Sequence, residues 1–71
     1  MTFKTKLDFV GVKKFVNIAQ DLSVAVTLYS GKYVVDGKSI LGIFSLDLSK
    51  PVTVEIDGND DYTELFKEFL A

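Results

Sequence analysis

Ser39 is the side chain in this sequence best placed for chemistry. It precedes Ile40, Leu41, Gly42, Ile43 and Phe44, so its hydroxyl can cap the helix they begin by accepting from a first-turn N–H. The same position favours a phosphate, because the orphan N–H groups and dipole of a helix N-terminus attract negative charge. Phosphorylation there would add about −1.5 to −2 charge beside an apolar run. The residue types present close most other routes. The chain has no histidine, cysteine or arginine. A Ser–His or Cys–His nucleophile pair is therefore excluded, and so are transition-metal sites built on the usual ligands. Asp57, Asp60 and Asp61 crowd together near the C-terminus, but no EF-hand spacing follows them, so they read as turn and capping residues. Neither a metal nor a cofactor is expected, and the chain reads as a non-enzyme.

The apolar residues after Ser39 carry a second signal. Ile40, Leu41, Ile43, Phe44 and Leu46 offer more apolar surface than one face of a short helix can bury, so part of it is expected to form a contact surface. Gly42 lies inside this helix and costs about 1 kcal/mol against alanine, which points to close packing or an adaptable helix.

The elements that must hold this segment follow from hydrophobic period. Phe3-Lys4-Thr5-Lys6-Leu7 alternates, which predicts a first strand with Phe3 and Leu7 inward and the lysines outward. From Val12 to Leu22 the period becomes helical, with Val12, Phe15, Val16, Ala19 and Leu22 on one stripe and Lys13 and Lys14 on a solvated face. Asp8 or Gly11 begins this helix, and Asp8 is the better cap chemically. Val24 to Tyr29 alternates again, Ser30-Gly31 reads as a hairpin turn, and Lys32 to Val35 returns as a strand. Asp36-Gly37 is a second turn. Val52-Thr53-Val54-Glu55-Ile56 is a fourth strand. Tyr62, Leu65, Phe66 and Phe69 then predict a last helix running to the C-terminus. The order βαββαβα fits an α+β fold with a sheet covered on one face. Lys4, Lys6, Thr27, Thr53 and Glu55 supply the polar open face.

Composition bounds the rest. Seventy-one residues make a single domain over 1–71, and a chain this short buries only about 60% of its unfolded surface. No signal peptide or membrane-length apolar run is visible, so the cytoplasm is the expected compartment and membrane insertion is not expected. The net charge is −2 and all eight basic residues are lysine, which argues against nucleic-acid binding.

The segment Gly37-Lys38-Ser39-Ile40-Leu41-Gly42-Ile43-Phe44-Ser45-Leu46 resembles the K-S-[IL]-[ML]-G-[VL]-[ML]-[ST]-L segment of HPr, the histidine-containing phosphocarrier of the bacterial sugar phosphotransferase system. Leu28-Tyr29-Ser30-Gly31-Lys32 resembles that family's Y-N-G-K turn, and Asp57 to Asp61 resembles its G-x-D-E stretch before the last helix. The resemblance covers most of the chain from about Phe15 onward and implies an open-faced β-sandwich: a four-stranded antiparallel sheet with three helices on one face. It implies that Ser39 occupies the place of a regulatory phosphorylation site, and that Ile40, Leu41 and Phe44 form a partner-binding patch. Protein partners of the phosphotransferase system, or a regulator, are implied with it.

The departure lies at the family's active segment, G-[IL]-H-A-R-P-A, whose histidine carries the phosphoryl group. Counting back from Ser39 puts Asp8 in the histidine slot, whereas matching Gly11-Val12 to the family's glycine-aliphatic pair puts Lys13 there. Neither placement restores the arginine or the proline. With no histidine, histidine phosphotransfer is chemically impossible. The expected function is a non-catalytic protein-binding or regulatory module working through Ser39 to Leu46. The alternative is a phosphoacceptor regulated at Ser39.

Overall fold

Alternating apolar residues build four strands in the computed structural model, which describes residues 1–70. They are β1 (Thr2–Thr5), β2 (Val26–Ser30), β3 (Tyr33–Asp36) and β4 (Val52–Ile56). All neighbours are antiparallel and the sheet order is β1-β4-β2-β3. The central strands β2 and β4 turn Val26, Leu28, Val52, Val54 and Ile56 inward, all buried. Helix α1 (Phe9–Gln20) lays Val12, Phe15, Val16 and Ala19 on that face, and the short helix α2 (Ile40–Phe44) adds Ile43. On the other face, the register sets Lys4 beside Thr53, Thr53 beside Tyr29, and Glu55 between Thr2 and Thr27. Tyr29 donates its hydroxyl to Glu55 Oε2 at 3.4 Å, and the Glu55 carboxylate raises the Tyr29 phenol above its ordinary pKa. This is the expected α+β, open-faced β-sandwich.

Several boundaries move. β1 ends at Thr5, so Lys6 and Leu7 lie beyond it; α1 ends at Gln20, before Leu22; and β3 covers Tyr33–Asp36 rather than Lys32 to Val35, taking Asp36 out of the turn. β2 starts at Val26 rather than Val24, because the chain bends at Ser23 and Val24, although the Ala25 carbonyl still accepts from Asp57 N–H at 3.0 Å. The hairpin pairs Ser30 with Tyr33, so its loop is Gly31-Lys32 and not Ser30-Gly31. Gly31 has φ +58, and among the described residues no non-glycine residue has positive φ. The turn therefore places its one left-handed residue first, where glycine costs nothing.

The larger correction is the last helix. Residues 63–66 form turns, followed by a 3-10 helix over Lys67–Phe69. Asp61 opens this segment as a cap: its Oδ1 accepts from Thr63 N–H at 2.9 Å and from the Thr63 hydroxyl. These bonds hold its carboxyl below the usual range, and one helical bond follows, Phe66 N–H to the Tyr62 carbonyl at 3.1 Å, before the chain tightens into the 3-10 turn. A 3-10 turn brings residues i and i+3 onto one side. Phe66 and Phe69 thus both reach Phe15, at centroid distances of 5.3 and 5.5 Å, and Phe66 also meets Phe3 at 5.7 Å. Leu65, expected on the apolar stripe, is instead 51% exposed.

Gly37 is the tightest crossing. Its N–H donates to the Val26 carbonyl at 2.7 Å, and a Cβ there would stand 2.6 Å from Val26 Cγ1 and 2.8 Å from Leu28 Cδ1.

Two stability predictions follow from these contacts. Phe66→Ala should cost about 3–5 kcal/mol, while Leu65→Ala should stay within about 0.5 kcal/mol. Urea unfolding of both variants checks this, and equal losses would restore the helical stripe. Gly37→Ala should cost about 1–3 kcal/mol through overpacking, read as a lower urea midpoint.

Candidate functional site

The two helices that carry the candidate residues are each started by a side chain. Asp8 is extended (φ −112, ψ −176), and its Oδ1 accepts from Gly11 N–H at 2.6 Å, so Asp8 and not Gly11 begins α1. Ser39 is likewise extended, and its Oγ accepts from Gly42 N–H at 3.0 Å. In each case a short polar side chain satisfies a donor that the first turn leaves unpaired.

The helices meet at two points. At one, the Phe9 ring stacks on Phe44, centroids 5.3 Å apart and 29° between planes. At the other, Lys38 Nζ donates to the Leu22 carbonyl at 2.7 Å, and Gln20 Nε2 donates to the Lys38 carbonyl at 3.1 Å. The start of α1 therefore lies by the end of α2, and the end of α1 by the start of α2. At 1.5 Å per residue, α1 is roughly 16–18 Å long, so the two capping residues sit at opposite ends of the helix pair. The structure brings Asp8 together with Phe44; it does not bring Asp8 together with Ser39.

The surface between these points is apolar. Ile43 is buried, and Leu46 just after α2 is buried as well. Ile40 and Leu41 face outward, Leu41 with 84% exposure, and Phe44 is half-buried. A shallow cleft of about 600 Å³ runs along Lys6, Leu7, Asp8, Phe9, Phe44 and Leu48. Lys13 stands over the Phe9 ring, its Nζ 4.9 Å from the centroid, a contact worth about 0.5–1 kcal/mol at an exposed site. Lys14 lies 3.9 Å from Glu68 in an exposed pair, which contributes little. Lysines thus border an apolar surface, with Asp8 at the cleft and Glu68 beside Lys14.

Phe9 and Val10 belong to this surface and were not among the residues singled out from sequence. Both are exposed, Phe9 at 64%. The signal was present: Val10 falls in phase with Lys14 and Asn17 on the polar side of α1, where a branched apolar residue has no core to meet. Leu48, half-buried at the cleft, was also missed.

Among the described residues there is no cluster of three or more His, Cys, Asp or Glu that could hold a metal ion. None of the described helices is long and apolar enough to cross a membrane.

The family model described as "PTS HPr component phosphorylation site" matches residues 4–70, and the chain belongs to that family. No curated protein matches it. Membership makes this a protein of the phosphocarrier type, related to the sugar phosphotransferase system, whose family acts with other proteins of that system and is not a family of classical enzymes.

The caps can be tested separately from any binding role. Ser39→Ala and Asp8→Ala should each cost about 1 kcal/mol, whereas Ser39→Asp keeps an acceptor at the cap and should stay close to the parent protein. Thermal unfolding of the three variants measures this.

Proposed function

We propose that this chain is a non-catalytic, protein-binding or regulatory member of its family, docking on phosphotransferase-system proteins or a regulator through the α1–α2 surface. The observation that carries this reading is the coexistence of an exposed apolar surface with an altered chemical centre. Leu41, Ile40, Phe44, Phe9 and Val10 offer apolar area at the helix pair. The residue type that carries a phosphoryl group in the family is missing altogether. Apolar residues rimmed by charge are what a protein interface requires, and Lys6, Lys13 and Lys14 favour a partner with an acidic rim.

Of the two placements for the lost histidine, Asp8 is the better supported. It sits at the start of α1 and lines the cleft beside Phe9 and Phe44, whereas Lys13 stands one turn further along and is engaged with the Phe9 ring. A carboxylate at a helix start is a permanent negative charge. In this reading Asp8 imitates the charged state of a phosphocarrier without cycling through it. Such partners go with a cytoplasmic location, which belongs to the same proposal.

A second reading, a phosphoacceptor regulated at Ser39, is favoured by the position of its hydroxyl at the start of α2. A phosphate there would add charge beside Ile40 and Leu41.

Binding and mass separate these readings. Leu41→Ala and Phe9→Ala should each weaken binding to the system's first enzyme, or to a regulator, about tenfold or more. Stability should change little at Leu41, which is exposed, whereas Phe9→Ala also removes the Phe44 stack, so its binding loss counts only beyond its measured loss of stability. Isothermal titration and urea unfolding measure the two effects. Incubation with phosphoenolpyruvate and the first enzyme should leave the intact mass unchanged, and a gain of one phosphoryl group would overturn the non-catalytic reading. Incubation with ATP and a serine kinase decides the second reading: a phosphoryl gain lost in Ser39→Ala supports it.

A further inference from the structure

The two edges of the sheet are built differently. The β1 edge carries Lys4, with Lys6 just beyond the strand, and lysine on an edge discourages pairing with another chain. The β3 edge carries Tyr33 and Val34, exposed at 64% and 61%. Neither belongs to the α1–α2 surface, and among the described residues β3 pairs only with β2.

The hydrogen-bond alternation fixes which β3 groups face outward. Ser30 and Tyr33 flank the two-residue loop, and Gly37 N–H donates to the Val26 carbonyl in the same register. Residues 33, 35 and 37 therefore direct their backbone groups to β2, and residues 32, 34 and 36 direct theirs away from it; the Asp36 carbonyl already accepts from Ser39 N–H at 3.1 Å, so the pairing centres on Val34. Val34 N–H and C=O thus point off the sheet edge.

We propose that this edge pairs with β3 of a second copy of the chain, antiparallel and about a two-fold axis through Val34. The sequence Lys32-Tyr33-Val34-Val35-Asp36 is self-complementary in that register. Val34 lies opposite Val34 of the second copy, and the two exchange N–H to C=O bonds. Lys32 lies opposite Asp36, so both pairs across the axis join opposite charges on the open face. Tyr33 lies opposite Val35 on the helix-covered face, an aromatic–β-branched pair of the kind that stabilises sheets. A shift of two residues either way keeps backbone pairing but separates Lys32 from Asp36. Asp36 Oδ1 accepts from Lys38 N–H at 2.9 Å, which leaves Oδ2 for the lysine. The joined surface is one strand wide, well below the about 1,200–2,000 Å² of a stable complex, so the dimer dissociates on dilution. Such an interface is isologous, and the same patch serves both copies.

Sedimentation velocity over a concentration series up to the millimolar range is the primary test. The expected result is a reversible monomer–dimer equilibrium. Val34→Pro removes the outward N–H, which no contact within the fold uses, and should shift the dissociation constant upward tenfold or more. Lys32→Asp should weaken the dimer by setting like charges opposite each other, and the double variant Lys32→Asp/Asp36→Lys should restore it. Native circular dichroism verifies that each variant is folded. In a mixture of isotope-labelled and unlabelled chains, an intermolecular NMR contact between the α-protons of Tyr33 and Val35 identifies the register. A chain that stays monomeric throughout the series overturns the proposal. So does a dimer insensitive to Val34→Pro, or an edge that accepts an unrelated extended peptide but not a second copy.

Discussion

The structure depends on one packing constraint: a four-stranded sheet has a single apolar face, and everything that covers it must come from one side. β2 and β4 supply the centre of that face with Val26, Leu28, Val52, Val54 and Ile56, and α1 returns Val12, Phe15, Val16 and Ala19. Each of these side chains larger than alanine contributes about 1.5–3 kcal/mol on burial. In a chain of this length no second core exists to compensate for losses. The remaining elements are placed by what α1 leaves uncovered. Phe66 and Phe69 close the region beside Phe3 and Phe15, and α2 covers the part near β3 with Ile43. Five helical residues cannot turn Ile40, Leu41, Ile43 and Phe44 all toward the sheet, so the apolar excess at α2 is a geometric result of two layers meeting at a short helix.

Period and capping chemistry were enough to read the strands, both helices and their order from the sequence. Val12, Phe15, Val16 and Ala19 recur at helical spacing, and Val52, Val54 and Ile56 alternate, because each element has one buried face. Asp8 and Ser39 were legible as caps because few side chains can satisfy a first-turn N–H. The hairpin loop was read one residue early, since Ser30-Gly31 and Gly31-Lys32 both contain the glycine and local sequence does not say which strand residues will pair. The C-terminal segment was misread for a tertiary reason. Tyr62, Leu65, Phe66 and Phe69 satisfy a helical stripe, but Phe66 and Phe69 are recruited together by Phe15, which the i, i+3 spacing of a 3-10 turn allows.

The candidate surface was only half legible. Ile40, Leu41 and Phe44 stood out as an excess after Ser39. Phe9 and Val10 did not, because the stripe that begins at Val12 already accounted for α1. What joins the two groups is a contact between residues 35 positions apart in sequence, the Phe9–Phe44 stack, and no local pattern announces it. The chemical side was legible in a different way. The absence of histidine is a property of composition and excludes its chemistry whatever the fold. Family membership rests on the pattern over residues 4–70, and that pattern holds in a sequence without histidine. Scaffold and reaction have separate requirements.

The shortness of α2 has an energetic consequence of its own. A helix of five residues is far below the length that persists alone in water. It exists because Ser39 caps it, Lys38 anchors its entrance to the Leu22 carbonyl, and Phe44 rests on Phe9. To these the core adds Ile43, fully buried under the helix, so opening α2 takes one large apolar side chain out of the core and leaves the strand pairing in place. Any partner that reads Ile40 and Leu41 then sees an affinity scaled by the fraction of time the helix is formed. A change at Lys38 or Gln20, neither of which lies on the apolar surface, would alter recognition by changing that fraction alone.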